Sequence, residues 1–389
     1  MSNTGVRRRS KANRDKAFFD YSMLFIVIFL VCFGLVMLYS VSSYESVLHF
    51  GDSAYYFKKQ AQSTLFGFVM MFVVMMLDYH IWQKLAIPAY VVSAVLILLV
   101  LTPLGYEVNG ARRWLNVGIS LQPAEVAKVG MIIFFAGHVC KMGKSIQTLK
   151  GVVKTLLLGV PISFMVLTIT DNLSTAIIIF GIIFMMVFVA TPNYKEYFII
   201  GGGVVGIAAI FVMLVKKGVL TSEQSYRFGR IEAWLNPEAY AGTTGFQTLQ
   251  ALYALGSGEI FGKGLGQSMQ KLGFVPEAQN DMVFSIICEE LGLFGAAVVL
   301  MMFLMLIWRF LVVANNAEDM YGALLVVGVM AHISLQVILN VAVVTNLIPN
   351  TGITLPFISY GGSAVVFLLI EIGLVFSVAR RIRLRNSTE

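Results

Sequence analysis

Ten long apolar runs, separated by polar segments, make up most of this 389-residue chain. Each run is long enough to cross a bilayer as a helix, which takes about 17–25 residues. The runs cover residues 21–43, 61–77, 85–101, 123–140, 151–170, 173–190, 197–215, 281–308, 321–346 and 362–379. The pattern predicts an all-α, polytopic integral membrane protein with ten transmembrane helices. We expect a basic tail at 1–17, a single membrane domain at 18–380 and a second tail at 381–389.

The composition supports a membrane protein and predicts its orientation. Hydrophobic residues make up 58% of the chain and charged residues 13%, whereas soluble domains average about 25% charged residues. Lysine and arginine are concentrated in the 1–17 tail, in the 141–154 turn and in the C-terminal tail. Since these segments fall on the same side of ten successive crossings, the positive-inside rule places both termini in the cytoplasm. The positive-inside rule also explains the net charge of +7, so this charge does not indicate a nucleic-acid partner.

Carboxylates are concentrated where the large outer loop, residues 216–280 between spans seven and eight, meets span eight. Asp281 lies at the mouth of that span, Glu277 lies just before it, and Glu289 and Glu290 lie within it. A charge inside a span costs roughly 2.5–3.5 kcal/mol and usually marks a functional interior. Asp281 is therefore a candidate catalytic base, although an aspartate at a helix start is also a common N-cap. The sequence leaves both roles open.

The first outer loop, 102–122, carries a second set of charges. Arg113 and Trp114 lie within it, and Gln122 precedes a span that begins with Glu125 and Lys128. The i, i+3 spacing of Glu125 and Lys128 allows an ion pair on one helix face. Such a pair is either purely structural or, with the nearby arginines, a site for an anionic ligand such as a pyrophosphate.

Span nine carries a polar stripe. His332, Gln336 and Asn340 recur at four-residue intervals and so lie on one helix face. Hydrogen bonds between helices are the expected role of such a stripe, and a ligand path is the alternative. Glu371 lies in the middle of span ten and needs a partner that the sequence does not identify.

The outer-face residues favour one kind of chemistry. The four histidines are scattered, and no serine–histidine–aspartate set or zinc motif is recognisable in the sequence. A carboxylate base accompanied by cations suits attack by a hydroxyl group on a centre whose leaving group is a phosphate.

Four segments, in order along the chain, resemble the signatures of the SEDS family (shape, elongation, division and sporulation). They are residues 109–114 (NGARRW), 122–128 (QPAEVAK), 276–281 (PEAQND) with 289–292 (EELG), and 355–363 (LPFISYGGS). The resemblance covers nearly the whole chain and is strongest to the cell-division branch. One segment departs from the family pattern: where relatives often read QPDLGT, residues 170–175 read TDNLST, with the acidic residue one place early.

The resemblance implies a ten-helix peptidoglycan glycosyltransferase that polymerises lipid II on the outer face of the cytoplasmic membrane. It implies that Asp281 is the catalytic base, which takes the proton of the acceptor sugar 4-hydroxyl while undecaprenyl pyrophosphate leaves with inversion. Two further sets of residues follow from it. The substrate-binding candidates are Arg113, Glu125, Lys128, Glu277 and Ser359, and the supporting candidates are Trp114, Gln122, Glu289, Glu290, Gly361 and Gly362.

The resemblance also implies the partners. These are lipid II and the nascent glycan strand, a class B penicillin-binding protein, other divisome membrane proteins and membrane lipid, with no nucleic acid. It implies no tightly bound cofactor and no metal ligand in the protein, with magnesium or manganese as an optional assistant at the pyrophosphate. The expected location is the bacterial cytoplasmic membrane at the division septum.

Three alternatives remain open at this point. The same polymerase would serve elongation or sporulation in the other branches of the family. A lipid II flippase would use the buried charges as a transport path. A divisome scaffold without catalytic activity would tolerate replacement of Asp281.

Overall fold

Helices dominate the protein in a computed structural model, which describes residues 19–108, 110–116, 118, 120–191, 194–216 and 226–382. The expected basic tail at 1–17 and most of the tail at 381–389 lie outside these residues. The described helices are α1 (Tyr21–Phe50), α2 (Tyr55–Met76), α3 (His80–Lys84), α4 (Ala86–Leu99), α5 (Pro123–Met142), α6 (Leu149–Ile169), α7 (Leu173–Ala190), α8 (Tyr194–Lys216), α9 (Tyr226–Leu235), α10 (Phe246–Ser257), α11 (Val283–Asn315), α12 (Met320–Val344) and α13 (Gly362–Ala379).

The long helices follow the predicted apolar runs. In the described part of the chain, seven of them are long and apolar enough to cross a membrane: α1, α5, α6, α7, α11, α12 and α13. The apolar α4 is shorter, at 14 residues, and α2 and α8 occupy the two remaining predicted positions. The helical class and the polytopic membrane character are confirmed. The count of ten crossings stays a prediction.

The helices pack around a shared apolar core, with α2 lying along α13 and α5 contacting α4, α7 and α12. Large apolar side chains also cover the outside of the bundle, including Phe25, Leu65, Phe164, Leu304 and Ile338. A soluble monomer rarely exposes so much apolar surface. The exposed side chains therefore form the lipid-facing surface of a membrane protein.

The first outer loop folds into a small antiparallel sheet, a feature that the all-α prediction did not include. Its strands are β1 (Gly105–Val108), β2 (Ala111–Asn116) and β3 (Ser120–Leu121), in the order β1-β2-β3. Trp114 on β2 lies opposite Tyr106 on β1, an aromatic pair of the kind that stabilises neighbouring strands. Short hairpins of this kind leave no long apolar run, so hydropathy did not reveal them.

Helix α11 is interrupted at Gly292, which corrects the prediction of one continuous span at 281–308. Gly292 has φ 69° and ψ −170°, outside the helical region. A Cβ atom there would lie 2.3 Å from the Ile260 carbonyl oxygen and 2.4 Å from the Gly262 nitrogen. Only glycine allows the outer loop to approach this closely. Glu289 and Glu290 thus belong to a separate helical segment at 283–291, and the segment 293–315 is long enough to span by itself.

The two ends of the bundle are held by different contacts. At one end, Arg309 binds Asp20 at 2.6 Å and Phe19 stacks on Phe376, so the segment before α1 lies against α11 and α13. At the other end lie the sheet, the 170–172 turn and the 345–361 loop. This arrangement agrees with both termini on one side, and the assignment of that side to the cytoplasm stays a prediction.

Candidate active site

The segment 276–281 is anchored on several sides at the outer end of the bundle. Asn340 of α12 donates a hydrogen bond to the carbonyl oxygen of Asp281 at 2.8 Å and another to that of Ile353 at 2.6 Å. Gln279 donates to Glu45 of α1 at 2.6 Å, and its carbonyl accepts from the Tyr360 N–H at 2.8 Å. Contacts from three distant parts of the chain therefore set the position of the Asp281 backbone.

The carboxylate of Asp281 is nearly buried, with 9% of the residue exposed. Gln247 of α10 donates from Nε2 to Asp281 Oδ1 at 3.2 Å and to the Pro276 carbonyl at 3.0 Å. Asn350 in turn donates from Nδ2 to Gln247 Oε1 at 2.8 Å. The amide of Gln247 is thereby oriented with its NH₂ group towards the carboxylate.

Asp281 does not cap α11. The N-cap position belongs to Met282, and no side-chain cap hydrogen bond is present there. Of the two roles that the sequence left open for Asp281, the cap is therefore excluded. An aspartate that is buried without capping a helix needs another reason to be there.

The surroundings raise the pKa of Asp281 to about 7. Burial is the largest cause, because it penalises the charged carboxylate. A backbone hydrogen bond lowers the pKa, the negative charge of Glu277 raises it further, and the Arg230 charge and the Gln247 hydrogen bond lower it. A carboxyl group that is half ionised near neutral pH can accept a proton efficiently.

Glu289 and Glu290 hold the outer loop against the 283–291 segment. Both are fully buried. Glu289 accepts from Lys263 Nζ at 2.6 Å and from the Met269 N–H at 3.2 Å. Glu290 accepts from Lys271 Nζ at 2.7 Å and from Ser40 Oγ of α1 at 2.9 Å. Their predicted supporting role is consistent with these contacts.

The charges of the first outer loop lie at the same end of the bundle as Asp281, but their contacts are separate from those of Asp281. Arg113 donates to the carbonyl oxygens of Thr170 and Asp171 at 3.0 and 2.9 Å, in the turn between α6 and α7. Helix α7, which follows that turn, is joined to the 345–361 loop, since Ser174 donates to the Thr351 carbonyl.

Glu125 and Lys128 form the predicted ion pair, with 2.8 Å between Oε1 and Nζ and both side chains almost fully buried. Among the described residues, no hydrogen bond or ion pair joins Lys128 to Asp281. Gln122 is the N-cap residue of the same helix but makes no side-chain cap bond. The structure thus places this pair in α5, apart from the Asp281 cluster.

The remaining candidates shape the loop before α13. Ser359 is buried and its Oγ accepts from the Leu355 N–H at 2.8 Å, which closes a tight turn. The Gly361 N–H donates to Gln60 Oε1 at 3.1 Å, and Gly362 is the first residue of α13. Ser359 therefore contacts its own loop, and its predicted contact with substrate stays a prediction.

The polar stripe of α12 bonds to neighbouring elements along its length. The sequence identified no partner for Glu371. In the structure it forms a hydrogen bond with His332 Nδ1 at 2.8 Å inside the bundle. Gln336 donates to the Thr354 carbonyl at 3.0 Å, and Asn340 reaches the Asp281 backbone. The His332–Glu371 contact is the expected bond between helices, whereas Gln336 and Asn340 bond to the backbone of loops.

Sequence reasoning missed the residues that surround the Asp281 carboxylate, namely Gln247, Asn350 and Arg230. Arg230 and Gln247 belong to the short helices α9 and α10 and Asn350 to the 345–361 loop, in polar stretches of sequence where such residues are ordinary surface residues. No local spacing relates Gln247 to Asn350, whose hydrogen bond joins positions 103 residues apart. Across the described part of the chain, no three His, Cys, Asp or Glu side chains form a group that could hold a metal ion.

The chain matches the FtsW, RodA and SpoVE family model, whose description is "cell cycle protein", over residues 21–384. Stage V sporulation protein E of Bacillus subtilis (strain 168) is 38% identical over 365 residues, which cover 93% of this chain and 97% of the relative. A probable peptidoglycan glycosyltransferase FtsW of Geobacter sp. (strain M18) is 38% identical over 369 residues, which cover 94% and 98%.

Two solved structures are similar over nearly their whole length. A chain of a peptidoglycan synthase complex that coordinates polymerization and crosslinking has a TM-score of 0.76 and 25% identity, and the match covers 94% of this chain and 99% of that one. The rod shape determining protein RodA of Thermus thermophilus has a TM-score of 0.67 and 26% identity, with 95% and 98% covered. The SEDS resemblance is thereby confirmed, and this multi-pass membrane protein belongs to the FtsW/RodA/SpoVE family of cell cycle proteins.

Proposed function

We propose that this protein is a peptidoglycan glycosyltransferase that polymerises lipid II into glycan strands at the outer end of the bundle. The observation that carries the proposal is the Asp281 carboxyl group, nearly buried at the outer mouth of α11, with a pKa raised to about 7. Relatives named as probable peptidoglycan glycosyltransferases, at 33–38% identity over nearly the full length, support the same activity.

The reaction proceeds in one displacement. Asp281 accepts the proton of the acceptor sugar 4-hydroxyl, and the oxygen forms a bond to the anomeric carbon of the growing strand. The bond from that carbon to the pyrophosphate oxygen breaks, and undecaprenyl pyrophosphate leaves with the electron pair. Because the configuration inverts in a single step, one base is sufficient and no carboxylate nucleophile is needed.

Cations at the outer end stabilise the leaving pyrophosphate. Arg113 and Lys128 are the candidates, and a guanidinium group is well suited to two phosphate oxygens. Lys128 pairs with Glu125 at 2.8 Å, and Arg113 donates to the carbonyl oxygens of Thr170 and Asp171. Glu277 acts on the base, since its charge contributes to the raised pKa of Asp281.

A divalent cation would fit this site only if the substrate supplied some of its ligands. Magnesium commonly binds one or two carboxylates together with substrate phosphates and keeps several waters. We propose that the pyrophosphate oxygens would supply most ligands of such an ion, which would offset their charge.

We propose septal wall synthesis in cell division as the cellular setting, with the division septum as the location. A relative named FtsW and the relative named stage V sporulation protein E are both 38% identical to this chain. The alternative is therefore that the same polymerase serves sporulation. A similar chain was solved in a complex that coordinates polymerization and crosslinking. This supports a class B penicillin-binding protein as the partner, beside other divisome proteins.

The test compares wild type with Asp281→Asn, each purified with its cognate transpeptidase and supplied with labelled lipid II. Asparagine keeps the size of the side chain but cannot accept the proton, so we expect glycan polymer from wild type and a loss of about 10²-fold or more from the variant. A chelator arm measures the need for a divalent cation.

Thermal unfolding in detergent serves as the folding control for both proteins. Equal polymer from both would refute Asp281 as the base. No polymer from either, together with lipid II transfer across liposomes, would favour the flippase, and neither activity would favour the scaffold.

A further inference from the structure

The segment 258–274 of the outer loop, which we call the outer strap, exposes many large apolar side chains. Six of them are between 39% and 80% exposed: Ile260, Phe261, Leu265, Met269, Leu272 and Phe274. Exposed apolar surface of this kind usually marks a contact with another protein or with a membrane.

The outer strap adjoins the lipid-facing surface of two helices. The N–H group of Phe294, near the start of the spanning part of α11, donates to the Ile260 carbonyl oxygen at 3.0 Å. Phe294 is itself 64% exposed. On the other side, a Cβ atom on Gly273 would lie 3.5 Å from the ring of Tyr44 in α1, which is 42% exposed. The apolar surface of the bundle therefore continues from α1 across the strap to α11.

The same contacts give the depth of the outer strap in the membrane. Phe294 lies about 22 Å along α11 from Arg309 and about 32 Å from the helix end at Asn315, at the rise of an α-helix. Lys271 of the strap donates to Ser40 at 3.0 Å, about 28 Å along α1 from its first residue. The hydrocarbon layer is about 30 Å thick, and helix tilt shortens these depths. The strap therefore lies at the outer border of the hydrocarbon layer.

The backbone of the outer strap is bonded as this depth requires. Close to the hydrocarbon, backbone outside a helix is tolerated only where protein groups satisfy it. The N–H groups of Lys263 and Gly264 donate to the carbonyl oxygens of Glu289 and Glu290 at 2.9 Å each, and that of Met269 donates to the Glu289 carboxylate at 3.2 Å. Protein acceptors also bind the N–H groups of Gly262, Gln267, Gln270, Lys271 and Leu272.

We propose that the outer strap is a lipid-binding surface, which lies in the outer leaflet with its apolar side chains against the acyl chains. At this border the exposed Glu259 and Lys263 remain within reach of the headgroups. The exposed apolar side chains are large, whereas close packing against a partner's transmembrane helix favours small residues. Lipid is therefore the better match for this surface. Because the strap ends just before the 276–281 segment, it holds Asp281 at the level of the headgroups.

The test measures the surroundings of a nitroxide spin label on the full-length protein in liposomes, in a background without the three native cysteines. Phe261→Cys and Met269→Cys place the label at two positions of the outer strap. Leu304→Cys is the lipid control, since this residue of α11 is 66% exposed on the apolar surface. Glu238→Cys is the water control, at an exposed position of the outer loop before α10.

The label's relaxation is measured with oxygen, which is concentrated among acyl chains, and with a neutral nickel chelate, which stays in water. We expect oxygen to act more strongly than the chelate at 261 and 269, as at 304, and the reverse at 238. The melting temperature of each labelled protein confirms its fold.

Labels at 261 and 269 that respond like the label at 238 would place the outer strap in water and overturn the proposal. Labels that neither reagent reaches would also overturn it, because protein, such as a second copy of this chain, would then cover the strap.

Discussion

At the residue scale, the position of Asp281 explains why its pKa is raised and why its carboxylate is available to accept a proton. The main chain is held by Asn340 and the carboxylate by Gln247, while the helix that follows does not use the side chain as a cap. A base held by its surroundings in one orientation loses little entropy when the substrate arrives.

The pKa of Asp281 leads to a prediction for the pH dependence of polymerisation. Because only the ionised carboxylate accepts a proton, the initial rate should fall about tenfold per pH unit below about pH 7 and level off above it. Glu277→Gln removes a negative charge that raises this pKa. The acidic limb should therefore shift to lower pH, as measured by initial rates with labelled lipid II between pH 5 and 9.

Glu259→Gln is the matched control for that series. Glu259 lies in the same outer loop and also has a positive φ, 48° compared with 53° for Glu277, but its charge is not among the causes of the Asp281 shift. Its pH profile should coincide with that of wild type. If Glu277→Gln left the limb unmoved, Asp281 would not be the group that titrates in the profile.

Residue chemistry was partly readable from the sequence. Asp281 and Glu277 stand out because carboxylates at a membrane boundary are costly, and the Glu125–Lys128 pair followed from its helical spacing. Gln247 and Asn350 were not predictable. Their roles depend on one hydrogen bond between α10 and the distant 345–361 loop, and nothing in the local sequence of either residue indicates it.

At the element scale, two ion pairs to buried glutamates attach the outer loop to the 283–291 segment, and the pair that is buried on both sides, Lys271–Glu290, also reaches α1. Lys263 binds Glu289, and Lys271 binds both Glu290 and Ser40. The loop that ends at Asp281 is thereby fixed to two helices. Glu289 and Glu290, which look like charges in lipid when only hydropathy is considered, face a protein interior.

Removal of one partner from the Lys271–Glu290 pair should destabilise the protein more than removal of both. Lys271→Met leaves Glu290 buried without its counter-ion, at a cost of about 3–5 kcal/mol. Lys271→Met combined with Glu290→Gln leaves no unpaired charge and should recover part of that loss. Thermal unfolding in detergent should therefore rank wild type above the double variant and the double variant above Lys271→Met.

Lys58→Met provides the comparison for this ranking. Lys58 pairs with Asp52 at 2.8 Å, but their side chains are 64% and 44% exposed. Exposed pairs contribute little to stability, so the melting temperature should hardly change. A Lys271→Met protein as stable as the Lys58→Met protein would show that the buried pair is dispensable.

At the scale of the whole molecule, one charged cluster joins three helices at the end of the bundle opposite Asp281. His80 of α3 lies between Asp78 at 2.8 Å and Asp319, the N-cap residue of α12, at 2.7 Å. Asp78 also binds Arg381, just beyond α13, at 2.6 Å. Partial burial works against the charged imidazole, but hydrogen bonds to Asp78 and Asp319 outweigh it and raise the pKa of His80.

His80 should make thermal stability depend on pH. Because the pKa is higher in the folded state, the stabilisation is fully present below the ordinary value of 6.5 and is lost as the pH rises through the raised value. His80→Gln should lower the melting temperature by about 2 °C at pH 6, since a partly exposed pair contributes at most about 1 kcal/mol. The difference should disappear towards pH 9.

The control for this prediction is His49→Gln at the opposite end of α1 from the cluster, where the side chain makes an edge contact with Phe50. Its melting temperature should equal that of wild type at every pH. A His80→Gln effect that stayed constant from pH 6 to 9 would contradict a contribution from the charged imidazole.

The sequence by itself determined the class of the protein, the positions of its long helices and the carboxylate at their outer end. These features follow from local physics: the length of an apolar run, the cost of a charge in lipid and the spacing of residues on a helix. Only the tertiary structure decided the break at Gly292, the partners of Glu289, Glu290 and Glu371, and the hydrogen bond from Gln247 to the Asp281 carboxylate. Each of these depends on contacts between residues far apart in the chain, and such contacts exist only once the helices have packed.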